Sequence, residues 1–231
     1  MVSKLNSITI SIPAFNEEKN IEEVIKNSVE VLSGLTRDYE IVVINDGSTD
    51  NTKSVIETLA KNIPQLKTFS HERNLGIAET LKKVFLYPTK EWVFFIPGDG
   101  QIAPKEIHKL IPYTESFDYI IGRRVKRNDG FIRLLNAWIY NMVISIVAFK
   151  RVTDIDSVVF FKHSFLNEAR FYANSAFIHA ELFIKARKNG ARSVEVEIEH
   201  LPRKFGKSTG SNPLVILKAA LDLLKLPFKR F

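Results

Sequence analysis

The stretch Glu40-Ile41-Val42-Val43-Ile44-Asn45-Asp46-Gly47-Ser48-Thr49-Asp50 decides the fold. Ile41 to Ile44 are apolar at consecutive positions, which suits a strand covered on both faces rather than one with a wet side. The acid, glycine and small polar residues that follow turn the chain out of the strand and into a helix predicted over 52–60. Outward from this unit the same succession recurs. Strands are predicted over 8–13, 66–70, 92–96 and 119–122, with helices over 17–32, 77–85 and 104–113 between them. In the first helix the apolar residues Ile21, Val24, Ile25, Val29 and Leu32 keep helical spacing. Strands alternating with amphipathic helices predict an α/β fold, a mostly parallel sheet with helices on both faces.

After Gly122 the pattern changes. A basic loop over 123–130 precedes an apolar helix over 131–149; then come a strand over 154–162, a helix over 180–188, a strand over 193–200 and a basic loop over 201–210. No repeat, low-complexity run or linker divides the chain. A single domain is expected over 1–212, with 1–122 as one half, 123–212 as the other, and a terminal helix over 213–231.

The 231 residues are 45% apolar and 26% charged, enough to bury a core. The absence of cysteine excludes disulfides, thiolate zinc sites and thiol nucleophiles. His71, His108, His163, His179 and His200 never stand three or four apart, so no two share a helical face as metal ligands. Charge divides unevenly: residues 1–116 carry net −3 and residues 117–231 net +10. The second half therefore suits an anionic partner, or presents a solvated basic face. Its basic residues are scattered over loops without a reading helix or stacking motif, which argues against nucleic acid.

In open α/β sheets, ligands bind at the carboxyl ends of the strands where strand order reverses. Three turns fall there: Pro13-Ala14-Phe15-Asn16-Glu17, Asp46-Gly47-Ser48-Thr49-Asp50 and Pro97-Gly98-Asp99-Gly100-Gln101. Helix capping accounts for Asn16, Asp50 or Thr52. It accounts poorly for Asp46 and Asp99, which sit directly behind buried strands with glycines beside them. Neither GxxxxGK[ST] nor GxGxxG occurs, against an ATPase or a nicotinamide enzyme.

Ile12-Pro13-Ala14-Phe15-Asn16-Glu17, Val43-Ile44-Asn45-Asp46-Gly47-Ser48-Thr49-Asp50 and Gly98-Asp99-Gly100-Gln101, in this order, resemble the three signatures of family 2 glycosyltransferases. The resemblance implies a GT-A fold, a Rossmann-like three-layer sandwich, and a nucleoside-diphosphate-sugar donor. It implies Pro13, Phe15, Glu17, Asp46, Gly47 and Ser48 around the nucleotide, and Asp99 near the diphosphate. Asp99 and Gln101 are the implied ligands of Mg²⁺ or Mn²⁺, but the usual acid-x-acid motif reads Pro97-Gly98-Asp99, one acid short, so weakened metal binding is expected.

The second half resembles the branch of that family containing dolichyl- and polyprenyl-phosphate sugar transferases. The pieces are Ile121-Gly122-Arg123-Arg124, Arg133, Asn141, Asp154-Ile155-Asp156-Ser157, Glu181 and Arg203-Lys204-Phe205-Gly206-Lys207-Ser208, with Val158 where a glycine is usual. A phosphomonoester carries about −1.5 to −2 charge at pH 7, so it needs positioning more than deprotonation. Arg124 and Arg133 are candidates to clamp such an acceptor, and Arg203 and Lys207 to close on the donor diphosphate. A hydroxyl acceptor instead requires a general base, for which Asp156 and Asp154 are the candidates. A nucleotide-sugar-binding protein without turnover is the alternative that Pro97 suggests.

No signal peptide is visible, and a cytoplasmic protein held peripherally on the inner face of the membrane is expected. Over 213–231 the polar residues Lys218, Asp222, Lys225 and Lys229 form one narrow stripe on an amphipathic helix. That helix suits a lipid interface, or packing on the core or in a homo-oligomer.

Overall fold

The computed structural model describes residues 5–125, 131–166, 170–205 and 222, with the side chains of 131–136 excepted. The consecutive apolar residues of β2 (Asp38–Asn45) make the two-sided burial visible. Val42 and Ile44 enter one core while Ile41 and Val43 enter the other, and all four are fully buried. Alternate side chains of a strand leave opposite faces, so a run apolar at every position needs helices on both sides.

The chain continues that logic through β1 (Ser7–Ala14), α1 (Ile21–Leu35), α2 (Thr52–Ala60), β3 (Leu66–Ser70), α3 (Ile77–Leu86), β4 (Trp92–Phe95), α4 (Ile107–Leu110), β5 (Tyr119–Arg124), α5 (Phe131–Val147), β6 (Val158–Lys162), α6 (Ile178–Lys188) and β7 (Ser193–Ile198). Strand order is β3-β2-β1-β4-β6-β5-β7. Only β6 runs antiparallel to its neighbours β4 and β5; the other pairs are parallel. Residues of α1, α2 and α4 pack on one face, and residues of α3, α5 and α6 on the other. One sheet thus runs through both halves of the sequence, and strand order reverses about β1, between β2 and β4.

Two expected elements are corrected. The helix predicted over 104–113 is broken into a 3₁₀ turn at Pro104–Glu106, the short α4, and a second 3₁₀ stretch at Ile111–Glu115. Pro112 has no N–H for an α-helical bond and clashes with the preceding turn. The strand predicted from 154 begins only at Val158, because Ser157 N–H donates to the Asp154 carbonyl (3.2 Å) and turns the chain first. The 213–231 helix lies outside the described residues apart from helical Asp222.

α5 ends unusually. Lys150 N–H reaches back to the Ser145 carbonyl (3.1 Å) and Phe149 adopts φ +49°. That is the position and conformation where a helix normally places glycine, and a residue with a Cβ loses on the order of 1–2 kcal/mol there. No helix among the described residues is long and apolar enough to cross a membrane.

Candidate functional site

The end of β1 ties the three acidic turns together. Asp46 N–H donates to the Ala14 carbonyl (2.9 Å) on one side, and Gly98 N–H to the Pro13 carbonyl (3.2 Å) on the other. A Cβ at Gly98 would lie 2.8 Å from that Pro13 oxygen, so only glycine lets the two turns approach. Side chains stitch the first two turns further. Asn16 N–H donates to Ser48 Oγ (3.0 Å), Thr49 N–H to Asn16 Oδ1 (2.9 Å), and Glu17 N–H to Thr52 Oγ1 (2.8 Å). Asp50 receives the N–H and hydroxyl of Thr52, the capping role expected of it. Phe15 projects half-exposed from the same rim.

Asp46 is buried with its carboxylate engaged. Oδ1 pairs with His71 Nδ1 (2.8 Å) and accepts from Leu75 N–H (2.9 Å), while Oδ2 accepts from Gly76 N–H (3.0 Å). It thereby holds the loop leading into α3. That loop passes so close to Gly47 (φ +62°) that a Cβ there would stand 2.2 Å from the Arg73 carbonyl carbon.

The loop after β7 closes on the other two acids. Arg203 reaches Asp99 Oδ2 with Nη2 (2.5 Å) and Glu17 Oε1 with Nη1 (3.4 Å), and its Nε is buried without a partner among the described residues. Leu201 N–H donates to the Gln101 carbonyl (2.8 Å), and Gln101 Nε2 donates to the Leu201 carbonyl (3.3 Å). Burial raises the Glu17 carboxyl above the ordinary glutamate range; Asp99 adds to that, while Asn20 and Arg203 oppose it. Two carboxylates around one guanidinium are therefore the electrostatic centre of this crevice. Among the described residues no cluster of three His, Asp or Glu suited to a metal exists, and Arg203 stands on Asp99 where a cation would bind.

On the far side of β4 the second half builds its own cluster. Arg124 at the end of β5 forms a two-point pair with Asp154, Nε to Oδ2 at 2.9 Å and Nη2 to Oδ1 at 2.6 Å, and its N–H adds a third bond (3.0 Å). Asp154 is buried, whereas Asp156, two residues on, is exposed. Asn141 of α5 fixes the turn between them, accepting Ile155 N–H at 3.0 Å. A cavity of about 410 Å³ opens here, lined by Arg123, Arg124, Trp138, Asn141, Arg151 and Asp154 among others. Glu181, buried in the first turn of α6, accepts the N–H groups of Tyr172 and Ala173 (2.8–3.0 Å) and so shapes the loop before that helix. The Lys207 side chain and that of Arg133, which falls in the first turn of α5, lie outside the described residues.

Beneath this cluster His179 packs edge-on against Phe85 and Phe95, and burial, with the nearby Arg124 charge, lowers its pKa to about 4. An unfolded histidine protonates near pH 6.5. Between those values the unfolded chain binds the extra proton, so this contribution is complete above pH ~6.5 and is lost as pH falls through about 4. His179→Phe should flatten the fall in melting temperature across that window, measured by thermal denaturation at stepped pH.

The comparisons decide the family. The model for Glycosyl transferase family 2 matches residues 9–173. This chain belongs to that family. The glycosyltransferase is also 26% identical over 226 residues to an undecaprenyl-phosphate 4-deoxy-4-formamido-L-arabinose transferase of Proteus mirabilis, covering 96% of this chain and 68% of that one. Among solved structures it resembles glucosyl-3-phosphoglycerate synthase of Mycobacterium tuberculosis. The complex with Mn²⁺, UDP-glucose and phosphoglyceric acid gives a TM-score of 0.75 at 16% identity, over 98% of this chain and 81% of that one. The complex with phosphoglyceric acid alone gives 0.73 at 18%, over 96% and 79%. These structures establish the fold, the GT-A sandwich implied by the three turns.

Reading the glycosyltransferase as a sequence missed several residues that the fold brings to these clusters. Arg151 lines the cavity and makes no ion pair among the described residues. Its only linear signal was the Lys150-Arg151 doublet. Tyr140 has a buried hydroxyl without a hydrogen-bond partner among the described residues. Burial first, then the Asp156 and Asp222 carboxylates, push that phenol well above its ordinary range. Nothing in the spacing of an apolar helix marks it out. Asp222, read as part of the polar stripe of the last helix, accepts Asn174 N–H (2.9 Å) and the Ser175 hydroxyl (2.7 Å).

Proposed function

We propose that this glycosyltransferase moves a hexose from a nucleoside-diphosphate sugar to a polyprenyl phosphate at the cytoplasmic surface of a membrane. The observation carrying the proposal is the pairing of two basic centres at the same end of one sheet, where β1, β4 and β5 finish. Arg203 stands over Glu17 and Asp99 at β1 and β4, and Arg123, Arg124 and Arg151 stand around the cavity beyond β6. A donor diphosphate brought to two carboxylates is repelled unless a cation intervenes, and Arg203 supplies one. Pro13, Phe15, Asp46, Gly47 and Ser48 then frame the nucleotide, with the half-exposed Phe15 ring offered to a base. Mg²⁺ or Mn²⁺, present with UDP in the mycobacterial structures, is secondary here and has to displace Arg203 to reach Asp99 and Gln101.

The cavity arginines hold an acceptor phosphate that is already ionised, so attack needs alignment rather than a base. Attack opposite the departing diphosphate inverts the anomeric centre. The Proteus relative, named for undecaprenyl phosphate, supports this acceptor class. A second reading, transfer to a hydroxyl of a saccharide or lipid, draws on Asp156, which is exposed in the turn after Asp154 and is the candidate general base.

Incubation with radiolabelled UDP- and GDP-sugars and either a short-chain isoprenyl phosphate or free saccharides tests the acceptor. Label appearing only on the isoprenyl phosphate is expected. Label on saccharides alone overturns that reading, and tight donor binding with neither transfer nor hydrolysis leaves only a binding protein.

A further inference from the structure

α5 has two unlike sides. Asn141, Ile144 and Ala148 are buried against the body of the protein, with Tyr140 beside them. Trp138, Ile139, Met142, Ile146 and Phe149 are exposed, Trp138 by 62%, Ile146 by 66% and Phe149 by 93%. At about 100° per residue the first four fall on one arc, an uncovered apolar stripe, and Phe149 follows just past the end of the helix. The stripe ends at Phe149, held at φ +49° where glycine is the comfortable residue. A large aromatic side chain kept in a strained conformation and pointed almost wholly into water is doubly unfavourable for a protein that meets only water, which points to a contact made elsewhere.

Three further features say what covers it. Lys150 and Arg151 follow the stripe directly, both exposed and neither in an ion pair among the described residues. Trp138 and Met142 belong to the stripe and also line the cavity with Arg123, Arg124 and Arg151, so the apolar surface runs into the mouth of a basic pocket. Asp222 meets the body at Asn174 and Ser175, and its charge acts on Tyr140, on the side of α5 turned away from the stripe.

We propose that the Trp138–Phe149 stripe docks on an anionic phospholipid bilayer, with apolar side chains in the acyl boundary and Lys150 and Arg151 among the headgroups. The cavity mouth then faces the surface from which a lipid-borne phosphate arrives. The proposal deepens the lipid-acceptor reading and rests on it for its purpose; its own test needs no acceptor.

The chain has two tryptophans, and Trp92 is buried in the core, so Trp138 reports on the stripe. The full chain is titrated with vesicles of phosphatidylcholine alone and of phosphatidylcholine with phosphatidylglycerol, all without polyprenyl phosphate. A blue shift of tryptophan emission and co-flotation are expected with the anionic vesicles, about 30-fold weaker with the neutral ones because two cationic residues, at about 1 kcal/mol each, lose their partner. Phe149→Gly should raise the melting temperature, since strain is relieved, while weakening vesicle binding about tenfold as one large apolar contact is lost. Ile146→Ser should weaken binding similarly.

Unchanged emission with either vesicle overturns the proposal, as does vesicle binding that Phe149→Gly leaves intact. A dimer in sedimentation equilibrium that Phe149→Gly dissociates, without vesicle binding, assigns the stripe to a second copy and overturns it too. Transfer to a soluble isoprenyl phosphate is measured on the same preparations. Transfer without vesicle binding sinks only the docking surface; binding without transfer sinks only the acceptor reading.

Discussion

Arg203→Ala should weaken binding of the donor diphosphate by on the order of 100-fold and reduce transfer at least as much. The guanidinium is the cation between Glu17 and Asp99, at 3.4 and 2.5 Å, and a charge-assisted hydrogen bond contributes about 1.5–3 kcal/mol, so two redirected to phosphate account for that factor. Isothermal titration with UDP and GDP checks it, in EDTA and in Mn²⁺. The parent protein should bind nearly as well in EDTA, because its crevice already holds a positive charge. In Arg203→Ala, Mn²⁺ should recover part of the lost affinity, since the two carboxylates then face each other uncompensated. Neighbouring Lys204→Ala is the control. Its pair with Glu23 is exposed on both sides, and such pairs contribute little. Donor binding undiminished in Arg203→Ala, or parent binding abolished by EDTA, removes Arg203 from the diphosphate site.

Asp154→Asn and Asp156→Asn should part company. Asp154 carries a buried two-point pair with Arg124 and also receives the Arg124 N–H, so losing its charge leaves a guanidinium facing an amide inside the protein. Breaking a buried pair from one side costs about 3–5 kcal/mol, which in a chain of this length lowers the melting temperature by roughly 6–20 °C. Asp156 is exposed, so Asp156→Asn should cost far less stability than Asp154→Asn, about 1 kcal/mol or less. Its effect belongs to chemistry. If the acceptor is a phosphate, transfer survives within about tenfold; if it is a hydroxyl, transfer falls by the 10²–10⁴-fold typical of a lost general base. Circular dichroism melting alongside single-turnover assays reads both axes. An Asp154→Asn protein as stable as its parent contradicts the buried-pair account.

The two aspartates stand two residues apart in one short motif, and the sequence offered them as equal candidates. The turn closed by Ser157 N–H on the Asp154 carbonyl sends one side chain inward to Arg124 and leaves the other outside. That distinction depends on β5 lying beside β6, a pairing between residues more than thirty positions apart. Asp46 tells the same story. Its place behind a buried strand was legible; that its carboxylate would be taken up by His71, Leu75 and Gly76 was not, because those partners arrive from a loop some thirty residues on.

The sequence alone determined the α/β architecture, the three acidic turns and the family, since each rests on local patterns: apolar runs of strand length, helical spacing, and acids beside glycines at strand ends. It misjudged 104–113, where apolar periodicity was read past Pro112. Only the tertiary structure decided that Arg203 closes on Glu17 and Asp99, across 186 and 104 residues of chain, and that Phe149 and Trp138 share an uncovered face. Side-chain partnership is set by which strands lie side by side and which helix face the core consumes, and one-dimensional spacing carries neither.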